Sequence, residues 1–219
     1  MYNQPVVGGI RGRYGNNRWK AYSEKMQRSV NLYSDLEYYY WILIETDPQV
    51  SVYCEQPVRA SIQTGGKTVD TIFDFWERRS SGEERFVEIK YSHEIDPNSA
   101  RASNRSIQQT TAQKEWCELQ GYEYAVVTEQ CVYARPQYLK NKKRILSFVH
   151  EKITEHDVKR VLNVLEGKTL LVGDLVNHFT LETPSRALVT VAHLLFSGAA
   201  EADLDTVDYG FNTLIWLSK

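Results

Sequence analysis

Thr71-Ile72-Phe73-Asp74-Phe75 and, beyond Ser80-Ser81-Gly82, Phe86-Val87-Glu88-Ile89-Lys90 are the two runs on which the fold turns. Both are rich in β-branched and aromatic residues and bounded by turn formers, which predicts strands over 68–76 and 85–91. Residues two apart on a strand share a face, so Glu88 and Lys90 project together while Val87 and Ile89 point to the core. If the strands form a hairpin, Asp74 lies opposite that polar pair. Two carboxylates and an ammonium on one sheet face are costly unless they meet metal or solvent.

Outward from this pair, Val50–Glu55 and residues 58–63 read as further strands, with Gly65-Gly66 as the next turn. Residues 34–47 read as a helix with Leu36, Tyr39, Tyr40, Leu43 and Ile44 on one apolar stripe. Asn104–Gln120 fits a second helix, stopped by Gly121, and residues 122–128 close the block as a strand. Helix, antiparallel strands, helix and strand make an α/β core over residues 23–135, its sheet packed between helices. Residues 1–22, with Gly8-Gly9, Gly12 and Gly15, read as an N-terminal arm.

From about residue 136 the pattern changes. Residues 144–151, 155–165, 170–179 and 184–196 read as short helices, the last begun by an N-cap and proline at Thr183-Pro184 and ended by Gly198. Strand-like runs at 200–205 and 212–217 flank a turn at Asp208-Tyr209-Gly210. Helices followed by a terminal hairpin predict a winged helix-turn-helix domain over residues 136–219.

With 219 residues, 42% apolar and 25% charged, the chain can build its core without disulfides or structural metal. Cys54, Cys117 and Cys131 are odd in number and follow no metal-binding spacing, so they read as buried thiols of a reducing cytosol. No apolar run approaches the roughly 20 residues of a membrane span, and no signal peptide is evident, so a soluble cytoplasmic protein is expected. The net charge of −2 argues against wholesale coating of nucleic acid. Basic residues nevertheless gather in residues 1–30, including Arg11, Arg13, Arg18 and Lys20, and again over 135–144. Such edges would grip phosphates around an acidic centre, or they are simply solvated surface.

The central acids suit phosphodiester hydrolysis. A hard cation polarises the phosphoryl oxygen and lowers the pKa of an attacking water. Mg²⁺, or Mn²⁺ in its place, takes carboxylate and carbonyl oxygens, here Asp74, Glu88 and the main-chain oxygen of Ile89. Lys90 would orient or deprotonate the water and balance transition-state charge. Glu37 has two readings: a further acid of the same site, or a capping box with Ser34. An aspartate, a gap and then Glu-x-Lys at a strand end resembles the PD-(D/E)XK nuclease signature, although Phe73 stands where that name has proline.

Taken in order, Ser34-Asp35-Leu36-Glu37-Tyr38-Tyr39-Tyr40, Cys54-Glu55-Gln56-Pro57, Ile72-Phe73-Asp74, Val87-Glu88-Ile89-Lys90 and Val126-Val127-Thr128-Glu129 resemble the TnsA family over roughly residues 20–135. This family supplies the endonuclease subunit of heteromeric transposases. The resemblance implies a PD-(D/E)XK restriction-endonuclease-like core in which Glu37, Asp74 and Glu88 are metal ligands and Lys90 is the catalytic lysine. Gln56, Gln113 and Glu129 are possible auxiliaries. It further implies cutting of the 5′ strands at double-stranded transposon ends, beside a TnsB-type transposase and a TnsC-type ATPase regulator. On the C-terminal part, Arg186 is the one arginine of the predicted helix available to touch DNA. A stand-alone restriction or repair nuclease of the same fold, and a non-catalytic winged-helix DNA-binding adaptor, are the alternatives.

Overall fold

The computed structural model describes residues 2–6, 17–177 and 185–218. The chain divides into two compact units, Met1–Trp41 with Gln49–Ala134, and Ile42–Pro48 with Arg135–Lys219. Arg11, Arg13 and the Thr183-Pro184 helix start lie outside the described residues.

The first unit opens with an antiparallel pair, β1 (Trp19–Ser23) and β2 (Arg28–Leu32), and helix α1 (Asp35–Glu45) follows. The Trp19 ring stacks on Tyr38 at 4.1 Å and its indole N–H donates to Asp35 at 2.8 Å, which ties the hairpin to the first turns of α1. Next come β3 (Val50–Glu55), β4 (Arg59–Thr64), β5 (Lys67–Ile72), β6 (Phe75–Arg79) and β7 (Glu84–Ile89). A short α2 (Ser92–Ile95), the long α3 (Asn104–Gln120), β8 (Glu123–Val127) and a single turn, α4 (Glu129–Val132), complete the unit.

Four strands form the main sheet in the order β3-β6-β7-β8; β7 and β8 run parallel, joined through α3, and the other pairs are antiparallel. Strand β3 shows how the sheet is sandwiched. Val52 and Cys54 join Phe73, Trp76, Phe86, Ala112 and Cys117 in the core under α3. Tyr53, on the other face, accepts the Trp41 indole N–H of α1 at 2.6 Å. Helix α3 ends where Gly121 adopts φ 75°, a left-handed cap that only glycine enters cheaply.

One strand expected over 68–76 is two. β5 pairs with β4 in its own two-stranded sheet, turning at Gly65-Gly66, and β6 joins the main sheet. The chain changes sheets at Phe73-Asp74, where the Phe73 amide donates to Val58 and the Asp74 carbonyl accepts from Gln56 at 2.9 Å. Asp74 therefore sits in a bend rather than inside a ladder. The expected burial of all three thiols also needs correcting: Cys54 and Cys117 are buried, whereas Cys131 on α4 is exposed.

The second unit holds α5 (Pro136–Val149), α6 (Glu155–Leu165), a short β9 (Leu170–Leu171), α7 (Val172–Val176), α8 (Ser185–Ser197), β10 (Ala200–Ala202) and β11 (Leu214–Leu217). α5 begins eight residues before the expected 144, because Pro136 occupies its first turn, where a missing N–H costs nothing. The helix expected over 170–179 is shorter, since Leu170 and Leu171 pair with β11 to give a sheet in the order β10-β11-β9. Ile145, Val161, Leu165, Leu175, Val191, Leu195 and Tyr209 meet in its core. Among the described residues, no helix is long and apolar enough to cross a membrane.

Candidate active site

The bend at Asp74 and the end of β7 open onto a cavity of about 990 Å³ whose wall includes Glu37, Gln56, Asp74, Glu88, Ile89 and Lys90. Phe75 pairs with Val87 across β6 and β7, so Asp74 falls beside Glu88 in the same register. Asp74 Oδ2 accepts the Ile89 amide at 2.7 Å.

Glu88 is 1% exposed, so the polar pair faces neither bulk solvent nor the apolar core but a lining of polar groups. Its Oε1 accepts from Lys90 Nζ at 2.5 Å and from Gln109 Nε2 at 2.7 Å. Its Oε2 accepts from Gln113 Nε2 at 2.8 Å. Both glutamines also donate to Thr71, and the Tyr124 hydroxyl donates to Gln113 Oε1 at 2.8 Å.

Glu37 both caps α1 and reaches the cavity. Its backbone N–H donates to Ser34 Oγ at 3.1 Å, and its carboxylate accepts the Tyr33 N–H at 3.0 Å and the Ser34 hydroxyl at 3.2 Å. The same carboxylate lines the cavity. Burial, and then the charge of Asp74, push Glu37 up to about 8.

Glu88 is likewise pushed up to about 8 by burial and then by Asp74. Burial also raises Asp74, against the opposing pull of Lys90 and the Ile89 amide. For Lys90, burial pulls downward, but Glu88 and Asp74 outweigh it and hold the ammonium above its ordinary value. Asp74 therefore acts on both Glu37 and Glu88, and like charges in low dielectric favour an added cation or proton.

The remaining sequence-predicted residues fall elsewhere. Gln113 is fully buried and holds Glu88, so it does not face the cavity. Glu129 accepts the Ser92 amide at 2.8 Å and the Ser92 hydroxyl, which fastens α2 directly after Lys90. Although burial opposes it, those two bonds hold Glu129 below its ordinary value. Arg18 lies on the cavity wall, whereas Lys20 is exposed on β1. Arg186 Nη2 is 2.6 Å from Asp157, and its Nη1 donates to the Lys152 carbonyl at 2.9 Å.

Sequence reading passed over Gln109 as a partner of Glu88, and Arg59 and Arg105 on the cavity wall. The spacing of Gln109 and Gln113 was a usable signal, because residues four apart share a helix face. Nothing local marks the two arginines, which reach the wall from β4 and α3.

No group of three or more His, Cys, Asp or Glu among the described residues is arranged as a ready metal cage. Glu88 already has three donors. The donor chemistry nonetheless fits a hard divalent ion, because Mg²⁺ needs only one or two carboxylates and keeps water for the rest. Asp74 Oδ1 has no hydrogen-bond partner among the described residues.

No curated protein matches the chain. Residues 47–129 match the family model described as TnsA-like endonuclease N terminal, a segment that contains Asp74, Glu88 and Lys90 and begins after Glu37. By that match, residues 47–129 are similar to the N-terminal endonuclease domain of TnsA-like proteins.

Proposed function

We propose that this chain is the Mg²⁺-dependent endonuclease subunit of a heteromeric transposase, cutting the 5′ strands at transposon ends. The observation that carries the proposal is the single cavity in which Glu37, Asp74 and Glu88 meet Lys90. Glu37, Asp74, Glu88 and the Ile89 carbonyl would hold the ion, and Mn²⁺ would substitute. Once bound, the metal supplies an activated water and polarises the phosphoryl oxygen.

The protein's own groups do the rest. Lys90, beside Glu88 and Asp74, would orient or deprotonate the water and balance negative charge on the phosphoryl oxygens. Gln109 and Gln113 fix the Glu88 carboxylate against rotation. Arg18, Arg59 and Arg105 rim the cavity, where they would meet phosphates flanking the cut.

In the second unit, helix, strand, two helices and two strands follow in the order of a winged helix-turn-helix, which supports that reading. Six residues of α8, from Ala187 to Leu195, belong to the unit's core, and Arg186 is occupied by Asp157. This favours docking of a protein partner over base reading. The partners would be a TnsB-type transposase and a TnsC-type ATPase regulator, on DNA in the cytoplasm.

The test is strand-resolved cleavage of a transposon-end duplex, with and without the partner transposase, comparing wild type with Asp74→Ala. Mg²⁺-dependent cutting of the 5′ strand that needs the partner and vanishes in the variant is expected. Cutting that persists in Asp74→Ala would sink the assignment. Cutting by wild type without a partner would make the chain a free-standing nuclease.

A further inference from the structure

Gln56 is a residue of the cavity wall with a buried, unpartnered side-chain amide among the described residues. It follows Glu55, the last residue of β3, and its φ is 40°, a left-handed conformation that costs any residue with a Cβ. Gln27 is the other non-glycine residue with positive φ among those described, but it sits exposed in the β1–β2 turn, bonded to Glu24. Gln56 is 5% exposed, and both Nε2 and Oε1 are buried with no hydrogen-bond partner among the described residues.

Its main chain is held firmly. The Gln56 N–H donates to the Asp74 carbonyl and its own carbonyl accepts from Val6, both at 2.9 Å. The preceding Glu55 is clamped by Arg28 through Nη1 at 2.7 Å and Nη2 at 2.6 Å. Gln56, strained and secured on both sides, belongs to the wall of the same cavity as Glu37, Asp74, Glu88 and Lys90, and its orphaned amide lies buried within that wall. Strain and an unsatisfied polar group held together in a cleft point to a ligand that relieves them.

The orphaned atoms restrict that ligand. A cation alone would satisfy Oε1 and leave the Nε2 donor buried and unpaired. A phosphate alone would satisfy Nε2 and leave Oε1 unpaired. A phosphodiester together with its attacking water answers both.

We propose that the Gln56 side chain grips the scissile phosphodiester, Nε2 donating to a non-bridging oxygen and Oε1 accepting from the attacking water. This rests on the reading of the cavity as a phosphodiester-cleaving site. It adds a neutral contact that orients the nucleophile against a particular phosphate oxygen.

Gln56→Gly tests it, because glycine adopts the same φ without strain while deleting the amide. The readout is cleavage by the full chain, with the partners wild type requires, of duplexes carrying an Rp or an Sp phosphorothioate at the cut. The variant should melt no lower than wild type, yet cut the all-oxygen duplex about 10²-fold more slowly. Sulfur at one of the two positions should slow wild type through the lost Gln56 contact and have no further effect in the variant. Cutting at the wild-type rate, a lower melting temperature, or the same two thio effects in both proteins would each overturn the proposal. Asp74→Ala is run in parallel: cutting by that variant would show that the reading of the cavity itself is wrong, whereas loss of cutting there with a wild-type rate in Gln56→Gly would remove Gln56 alone.

Discussion

Asp74 Oδ2 accepts the main-chain N–H of Ile89 at 2.7 Å, so the carboxylate in the bend before β6 is pinned to the residue between Glu88 and Lys90. The bond carries the register of the hairpin into the chemistry, because a one-residue slip would turn Glu88 and Lys90 to the opposite face. It also holds Asp74 within the field of two other buried acids.

Asp74→Asn keeps the shape and an oxygen for the Ile89 amide while removing a carboxylate that acts on Glu37, Glu88 and Lys90. Cleavage should fall by at least about 10²-fold, since the site loses an anionic ligand. Stability should rise, by roughly 0.5–2 kcal/mol, as relief of repulsion at a functional site commonly does. Strand-resolved cleavage and urea unfolding check the two halves. A variant that cuts normally, or one clearly less stable than wild type, contradicts the electrostatic account.

Arg28 and Glu55 form the strut behind Gln56. The Glu55 side chain is 1% exposed, and Arg28 approaches it from β2 with two nitrogens. Arg28→Ala would strand a buried carboxylate and should cost about 3–5 kcal/mol, while replacing both residues with methionine should recover most of that loss. Denaturant midpoints of Arg28→Ala and the double variant decide it; equal losses in the two would show that packing, not charge, matters there.

These contacts show what could be read from the sequence and what could not. Strand alternation and the glycine turns located β3, β4, β7, α3 and the Asp74–Glu88–Lys90 set, because those signals are local. The bend at Phe73-Asp74 was not legible: an unbroken β-branched and aromatic run hides a change of partner strand that depends on Val58 and Gln56. Glu37 looked like a choice between cap and ligand, yet α1 places its carboxylate where it caps the helix and also lines the cavity. The start of α5 was missed although Pro136 signals it, because the basic run that follows read as surface loop.

Gln113 was named as a possible auxiliary of the site, and the structure gives it a buried task. Its amide joins Thr71, Glu88 and Tyr124 with no exposed surface. Gln113→Leu should therefore cost about 1–3 kcal/mol through the polar groups left unpaired. Gln109→Leu should cost less, because that side chain is only partly buried. Unfolding curves for the pair, beside duplex-binding titrations, test the assignment. A Gln113→Leu protein of normal stability with weakened DNA binding would restore the phosphate contact.

Arg186 belongs to the same question in the second unit. Asp157 is the third residue of a capping box: its Oδ2 accepts the Thr154 N–H at 3.0 Å and hydroxyl at 2.7 Å, and Arg186 Nη2 lies 2.6 Å away. Burial pulls the Asp157 carboxyl upward, but the Thr154 and Arg186 bonds prevail and lower it from 3.8 to about 2. A folded value below the unfolded one means that the contribution is full above about pH 4 and is lost as pH falls from 3.8 towards 2. Asp157→Asn should therefore cost about 1 kcal/mol near neutral pH, the typical worth of a helix cap, and flatten the fall in stability across that acid window. Arg186→Ala should reproduce part of this loss and leave DNA affinity and its salt dependence unchanged. If Arg186→Ala instead kept full stability and reduced the salt slope of duplex binding by about one, the arginine would be a phosphate contact, and its pairing with Asp157 would be incidental.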